Sequence, residues 1–408
     1  MKYAVLLGDG MADYPIDEIG GKTAIEAADT PAMDKIAGNG TIGLIDTIPK
    51  GFTPGSDVAN LSILGYDPAK AHSGRGPLEA ASMGIKISQS EIAFRCNLVT
   101  LDKEGSKTLM ADFTAGHITT DEAGVLIHEL NNKIGTSDTV FYPGVGYRNL
   151  LVWKGRNLFL QTTPPHDIVG KEIIHYLPQG EGAPEISGLM EASQKILSTH
   201  PVNGSRIRSG RRPATSIWLW GQGNAPTIYP LTKRYCIRGA MISAVDLLKG
   251  IGVYAGLMPL SVKGATGYTD TNYRGKAQRA CEFLREGDFV FVHVEAPDEM
   301  GHEGNIEKKI RAIEDFDSKV VAPILQELDN YEQYRIMVLS DHLTPVSVKT
   351  HVADPSPFAV YSSKREENVG EGALFGETNA KSSGILISPG HLLMDYFINK
   401  WGDLIRRN

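Results

Sequence analysis

The stretch from Asp288 to Glu307, DFVFVHVEAPDEMGHEGNIE, brings acidic and imidazole side chains to the end of an apolar run. Phe289 to Val292 predicts a buried strand, and Glu295, Asp298, His302 and Glu303 follow just past it. Asp298 and His302 lie four positions apart across Gly301, close enough for a carboxylate and an imidazole to share one divalent ion. Taken alone, the same stretch also reads as a capped turn with a solvent-facing histidine. A second apolar strand, Arg335 to Ser340, ends in Asp341-His342, and His351 follows in KTHVADPSP. The amino-terminal YAVLLGDG carries Asp9 at its own strand end, where flanking glycines let the backbone approach a ligand. Each of these residues singly is an ordinary loop residue. Six of them at equivalent strand-end positions predict a two-metal site at the carboxyl edge of a sheet, where α/β proteins place ligands.

A nucleophile candidate stands in GFTPGSDVANLSILGYDP, where Pro54-Gly55 makes a turn and Ser56 meets the start of a helix. Ser56 has two compatible roles. It is either the N-cap of that helix, or a hydroxyl held at the positive helix end and coordinated to a metal that lowers its pKa.

The elements that must carry these residues belong to a chain of 408 residues, beyond the ~250–300 at which one core stops growing, so two domains are expected. A hydrophobic fraction of 41% with 44 glycines and 22 prolines describes a turn-rich globular enzyme rather than a fibrous or disordered chain. The net charge of -7 argues against a nucleic-acid partner. Cys96, Cys236 and Cys281 are odd in number and widely spread, which offers neither a disulfide framework nor a zinc-thiolate site and fits a reducing cytoplasm. No apolar run approaches the ~20 residues needed to cross a bilayer, and no leader precedes the first strand, so a soluble, unprocessed protein is expected.

Along the chain, Thr30-Pro31 predicts a helix start with a hydroxyl cap, ending near Gly38 to Gly40. Gly239 to Gly252 reads as a helix, and SSGILISPGHLLMDYFINKWGDLIRRN as an amphipathic helix closing the fold. Residues 84–230 change character and form an inserted α+β domain in a core made of 1–83 and 231–408. The insert carries His117 in DFTAGHIT, Arg148 in GVGYRNL, His166-Asp167 in PPHDIVG, and Arg206, Arg208, Arg211 and Arg212 in NGSRIRSGRRP. Arginine forks suit carboxylates and phosphates, so this set is where anion recognition is expected. Arg148 and then Arg206 lead it, with His117 and Asp167 at the hydroxyl and carboxylate ends of the substrate. In VKGATGYTDTNYRGKAQRA, Lys263 or Lys276 faces a transferring phosphate or is surface solvation.

LLGDGMAD, TPGSDVANLSILGYDP, GATGYTDTNYRGKA, HVEAPDEMGHEGN, LSDH and His351 together resemble the archaeal-type 2,3-bisphosphoglycerate-independent phosphoglycerate mutases of the alkaline phosphatase superfamily. The likeness continues through DFTAGHI, PHDIVGK and WLWGQGNAP and so covers nearly the whole chain. It implies an alkaline-phosphatase-like α/β core, with a mostly parallel sheet flanked by helices and a smaller inserted domain that grips the substrate and closes. It makes Ser56 the residue that becomes phosphoserine. Asp9, Ser56, Asp341 and His342 would hold one metal, and Asp298, His302 and His351 the other. Manganese is the expected metal, with magnesium, cobalt or zinc as alternatives, and no 2,3-bisphosphoglycerate is needed. The substrate is a small phosphorylated hydroxy acid. A type II homoserine kinase and a phosphatase share this architecture and remain alternatives at this point.

Overall fold

The structure is a computed structural model and describes residues 1–154, 159–370 and 372–407. The chain divides into two compact units, Met1–His72 with Thr227–Asn408, and Ser73–Pro226. These junctions differ from the expected 83/84 and 230/231. The helix Arg75–Ser82 goes with the second unit because Gly76 lies where any side chain would strike the Ala93 carbonyl. The helix is thereby laid directly on the strand Glu91–Glu104.

The first unit is built on an eight-stranded sheet. In spatial order its strands are Met258–Pro259, Gly239–Ile242, Phe289–Val294, Lys2–Gly8, Tyr334–Leu339, Ser356–Ser362, Thr41–Ile45 and Leu386–Ile387. Only Ser356–Ser362 runs against its neighbours. Phe289–Val294 and Tyr334–Leu339 are buried along their whole length, as strands covered on both faces must be. Their Val290, Val292, Ile336 and Val338 share one core with Met33, Ile36, Phe283, Ile313 and Phe316 from helices. Lys2–Gly8 lies between those two strands, with Gly8 opposite Val294 and Leu7 opposite Leu339. Three strand ends therefore stand level, and the residues that follow them are delivered to one place.

Three local expectations need correction. Gly239–Ile242 is a strand and the helix begins only at Asp246, because pairing with Phe289–Val294 outweighs the helical look of a short apolar run. Pro31 does open its helix, but Thr30 makes no capping hydrogen bond. Instead the Asp317 carboxylate accepts the Ala32 and Met33 N–H groups at 3.2 and 2.7 Å. At the carboxyl end, the chain turns helical only from Gly390, after the edge strand Leu386–Ile387, and seats Phe397 and Trp401 in the interior. Among the described residues no helix is long and apolar enough to cross a membrane.

The second unit is an antiparallel sheet with helices. Glu91–Glu104 is its spine, pairing with Arg148–Lys154, with Lys107–Asp112 and with Ser216–Gly223, while Thr139–Val145 adds to Arg148–Lys154. Helices Thr120–Ile134 and Ala183–Leu197 contribute Leu126, Ile127 and Met190 to a core shared with Phe94, Leu98 and Trp218.

Candidate functional site

Asp9 follows the strand Lys2–Gly8, and its N–H continues the ladder by donating to the Val294 carbonyl at 2.9 Å. Asp341 and His342 follow Tyr334–Leu339 at the same level. Ser56 is the first residue of the helix Ser56–Ile63, with Gly55 in the cap position. Ser56 is therefore not the N-cap, and its hydroxyl is left for another task. His342 Nε2 lies 3.2 Å from Ser56 Oγ and 3.5 Å from both Asp9 Oδ1 and Asp341 Oδ2. Four side chains from three separate segments thus meet around one imidazole nitrogen.

The second group forms beside the first. Asp298 and His302 project from one turn of the helix Ala296–Glu303, with His302 Nε2 3.1 Å from Asp298 Oδ2. His351 arrives from the loop after Asp341, with its Nε2 3.4 Å from Asp298 Oδ1 and 3.0 Å from His302 Nε2. The rings of His342 and His351 are 4.1 Å apart, so the two groups are neighbours. The close approach is made possible at Gly10, whose φ of +56° and missing side chain leave room for Asp298 and Thr344.

The donor set fits divalent cations. Asp9, Asp298 and Asp341 are 1%, 4% and 0% exposed, and ligand atoms of Asp298, His342 and His351, and of Asp9, Asp341 and His342, cluster within 4.8 Å. Asp9 Oδ1 and Glu295 Oε2 are buried and accept no hydrogen bond, which is costly for an anion unless a cation is its partner. Burial and the charges of Asp341, Asp298 and Glu295 push the Asp9 carboxyl well above its usual range. Burial also pushes up Glu295, to about 8. Asp298 is held well below the usual range: burial opposes ionisation there, but hydrogen bonds from His302 and His351 outweigh it. The Asp298 contact raises His302 to about 9. Carboxylate oxygens and imidazoles in this mixture suit manganese, zinc or cobalt, and the carboxylates also suit magnesium.

Several residues that hold the site were not picked out from the sequence. His293, fully buried in the strand Phe289–Val294, sits 2.7 Å from Asp9 Oδ2 through Nε2 and 3.2 Å from Ser243 Oγ through Nδ1. With the Asp9 carboxylate as acceptor, Nε2 carries the proton and Nδ1 is left to accept from the serine hydroxyl, so the ring is held at both nitrogens and orients that carboxylate. A histidine inside an otherwise apolar strand was the available signal. Asn60 Nδ2 donates to both Asp341 Oδ2 (3.1 Å) and the Ser56 carbonyl (2.9 Å), joining the helix Ser56–Ile63 to Asp341. Thr344 Oγ1 donates to Asp298 and lies 3.3 Å from His342 Nδ1. Of the two lysines, Lys276 is buried and donates to the His293 carbonyl at 2.9 Å, and burial lowers its pKa to about 8. Lys263 is exposed, and its carbonyl accepts from Asn272 Nδ2 at 2.9 Å.

In the second unit, the aromatic ring of Phe113 gathers three of the expected positions. It packs 5.8 Å from Tyr147, next to Arg148, and 6.0 Å from His166, next to Asp167. The turn that follows Phe113 holds Ala115, Gly116 and His117 at positive φ and leaves His117 exposed. Such strain in residues other than glycine clusters at functional sites. Arg148 is exposed beside Tyr147. Arg95 stacks 4.3 Å from Trp220, and Arg75 lies 6.0 Å from the same ring. A lone charge inside an apolar run is the signal by which the sequence marks Arg95.

Arg206 does something other than expected. It is fully buried, paired with Glu122 at 2.5 Å, and donates to the carbonyls of Arg212, Ala115 and Gly116. It braces the His117 turn from behind and has no face for a substrate. Arg206→Ala is expected to lower unfolding free energy by about 3 kcal/mol or more, since it removes a fully buried side chain and strands the Ala115 carbonyl, while Glu122, partly exposed, keeps Arg211 as a partner. A thermal or urea melt checks this, and an unchanged midpoint would contradict it.

The profile described as 2,3-bisphosphoglycerate-independent phosphoglycerate mutase matches residues 37–203. A protein of that name from Methanosarcina barkeri is 55% identical over 396 residues, covering 96% of this chain and 98% of its own. One from Geobacter sulfurreducens, named as probable, is 49% identical over 400 residues, covering 98% and 100%. Among solved structures, a Pyrococcus horikoshii protein aligns with a TM-score of 0.80 at 29% identity over 100% of this chain and 98% of that one. A cofactor-independent phosphoglycerate mutase from Thermoplasma acidophilum aligns at 0.66 and 25% over 98% and 100%. Fold and relatives thus place the molecule among the α/β enzymes built on a mostly parallel sheet. The chain belongs to the 2,3-bisphosphoglycerate-independent phosphoglycerate mutase family.

Proposed function

We propose that this chain interconverts 2-phosphoglycerate and 3-phosphoglycerate through a phosphoserine at Ser56, without 2,3-bisphosphoglycerate. The observation that carries this reading is the position of Ser56 Oγ, 3.2 Å from His342 Nε2 at the meeting point of the ligand groups. Asp9, Ser56, Asp341 and His342 would hold one divalent ion, and Asp298, His302 and His351 a second, with manganese the expected metal. When bound, such ions supply Lewis acidity that activates a hydroxyl and neutralises phosphoryl oxygens. Ser56 Oγ gives up its proton and forms its bond to phosphorus as the bond to the glycerate oxygen breaks; the glycerate oxygen leaves with the electron pair and takes up a proton, so glycerate departs as the alcohol. The reverse exchange onto the other glycerate hydroxyl frees Ser56. Between the two, the second unit must keep the glycerate and exclude water, a task we assign to Arg148, His117 and Asp167. Lys263, exposed in its loop, is a weaker candidate for the phosphate.

The deciding experiment offers manganese-loaded protein 3-phosphoglycerate without bisphosphoglycerate and, in parallel, ATP with homoserine. Formation of 2-phosphoglycerate in the first and no phosphohomoserine in the second is expected; the opposite pattern would replace this reading with a kinase. Arg148→Ala is expected to lower kcat/KM by one to two decades, from the loss of about 1.5–3 kcal/mol of charge-assisted bonding. It should also raise inorganic phosphate relative to isomer product, measured in the same reaction. Unchanged kinetics would make Arg148 a surface residue.

A further inference from the structure

The nucleophile's helix begins without a side chain to cap it. Gly55 occupies the cap position in an extended conformation and makes no side-chain bond to the first turn. A helix start of this kind leaves N–H groups without partners and its first residue poorly fixed. Yet Ser56 must keep its oxygen within a few tenths of an ångström of its reacting position. The restraint comes from the other side, through Asp57. Asp57 Oδ1 accepts the Val58 N–H at 3.0 Å, and Oδ2 lies 3.0 Å from His72 Nε2. With the carboxylate as acceptor, Nε2 carries the proton.

His72 is itself held at two points. Its N–H closes the short helix Pro68–Ala71 by donating to the Pro68 carbonyl at 3.0 Å. Its ring meets Phe52 edge-on, with centroids 6.2 Å apart. Phe52 in turn packs on Ile48, Val58 and Ala59, so the loop before Ser56 and the turn after it are clamped by the same ring. Gly55 belongs to this clamp, since a side chain there would come within 3.0 Å of Asp57 Oδ1.

We propose that His72 is a positioning residue for the phosphoryl-transfer step: through Asp57 it fixes the first turn of Ser56–Ile63. This rests on the assignment of Ser56 as nucleophile. The test compares wild type, His72→Ala and His72→Gln as manganese-loaded enzymes in steady-state turnover, metal analysis and rapid-quench measurement of phosphate on Ser56. His72→Ala is expected to lower kcat and the rate of Ser56 phosphorylation by about 10–100-fold, with KM within about threefold and metal content unchanged. His72→Gln, whose amide nitrogen reaches the same oxygen, is expected to recover most of that loss. Wild-type kcat in His72→Ala would overturn the proposal, as would equal losses in both variants, which would make the ring a space-filler, or loss of an ion from His72→Ala. Wild-type turnover with no phosphate on Ser56 would instead sink the nucleophile assignment, and this inference with it.

Discussion

Ser56→Ala is expected to fold, to bind metal and to lose turnover by on the order of 10⁴-fold or more. The fold should survive because Gly55, not Ser56, is the cap, and the Ser56 hydroxyl contacts His342 rather than supporting its own helix. Stability should change by only about 0.5 kcal/mol, as for a substitution that opens no cavity and strands no buried donor. The large kinetic loss follows from a covalent route whose neighbouring hydroxyls are otherwise engaged: Thr344 donates to Asp298. Ser62 is buried and donates to the Thr47 carbonyl at 2.6 Å, and Thr53 is exposed in the preceding loop. Mass spectrometry of wild type quenched with substrate should place phosphate on Ser56. Substantial activity in the alanine variant, or label on Thr53 or Ser62, would move the nucleophile elsewhere.

Removal of metal should be as severe. Asp9, Asp298 and Asp341 are buried together with Glu295 close by, and two of their oxygens have no hydrogen-bond donor. Cations that bind only the folded chain offset that repulsion and raise its stability by about 2.7 kcal/mol per site at a hundredfold excess over Kd. Elemental analysis after manganese loading is therefore expected to approach two ions per chain. Chelation should lower the melting temperature and abolish turnover together. Asp298→Asn or His351→Ala should remove chiefly one ion, and Asp341→Asn chiefly the other, each with a smaller metal-dependent thermal shift. A chelator-stripped protein that stays fully active, or melts at the same temperature with and without manganese, would refute the two-metal assignment.

The sequence by itself determined where strands end and which residues stand past them. Phe289 to Val292, Arg335 to Leu339 and Tyr3 to Leu7 are apolar, β-branched runs with no other stable home than a covered sheet. Asp9, Asp298, His302, Asp341, His342 and His351 therefore had to emerge near strand ends, and the structure gathers them with Ser56. The turn at Pro54-Gly55 likewise announced a helix at Ser56.

What only the tertiary structure decided is which segments touch. Nothing local tells that Phe289–Val294 lies beside Lys2–Gly8, so the His293 contact to Asp9, made between strands remote in sequence, could not be read from either. The same holds for Asn60 bridging to Asp341, and for Asp317 capping the helix that Thr30 was expected to cap. Gly239–Ile242 became a strand because a neighbouring edge was there to pair with. Arg206 and Arg148 carry the same guanidinium and are distinguished only by burial: one is walled in by carbonyls and Glu122, the other stands exposed. A charged side chain has the same chemistry in any sequence context; whether it recognises a ligand or braces a turn depends on which partners the fold leaves within about 3 Å of it.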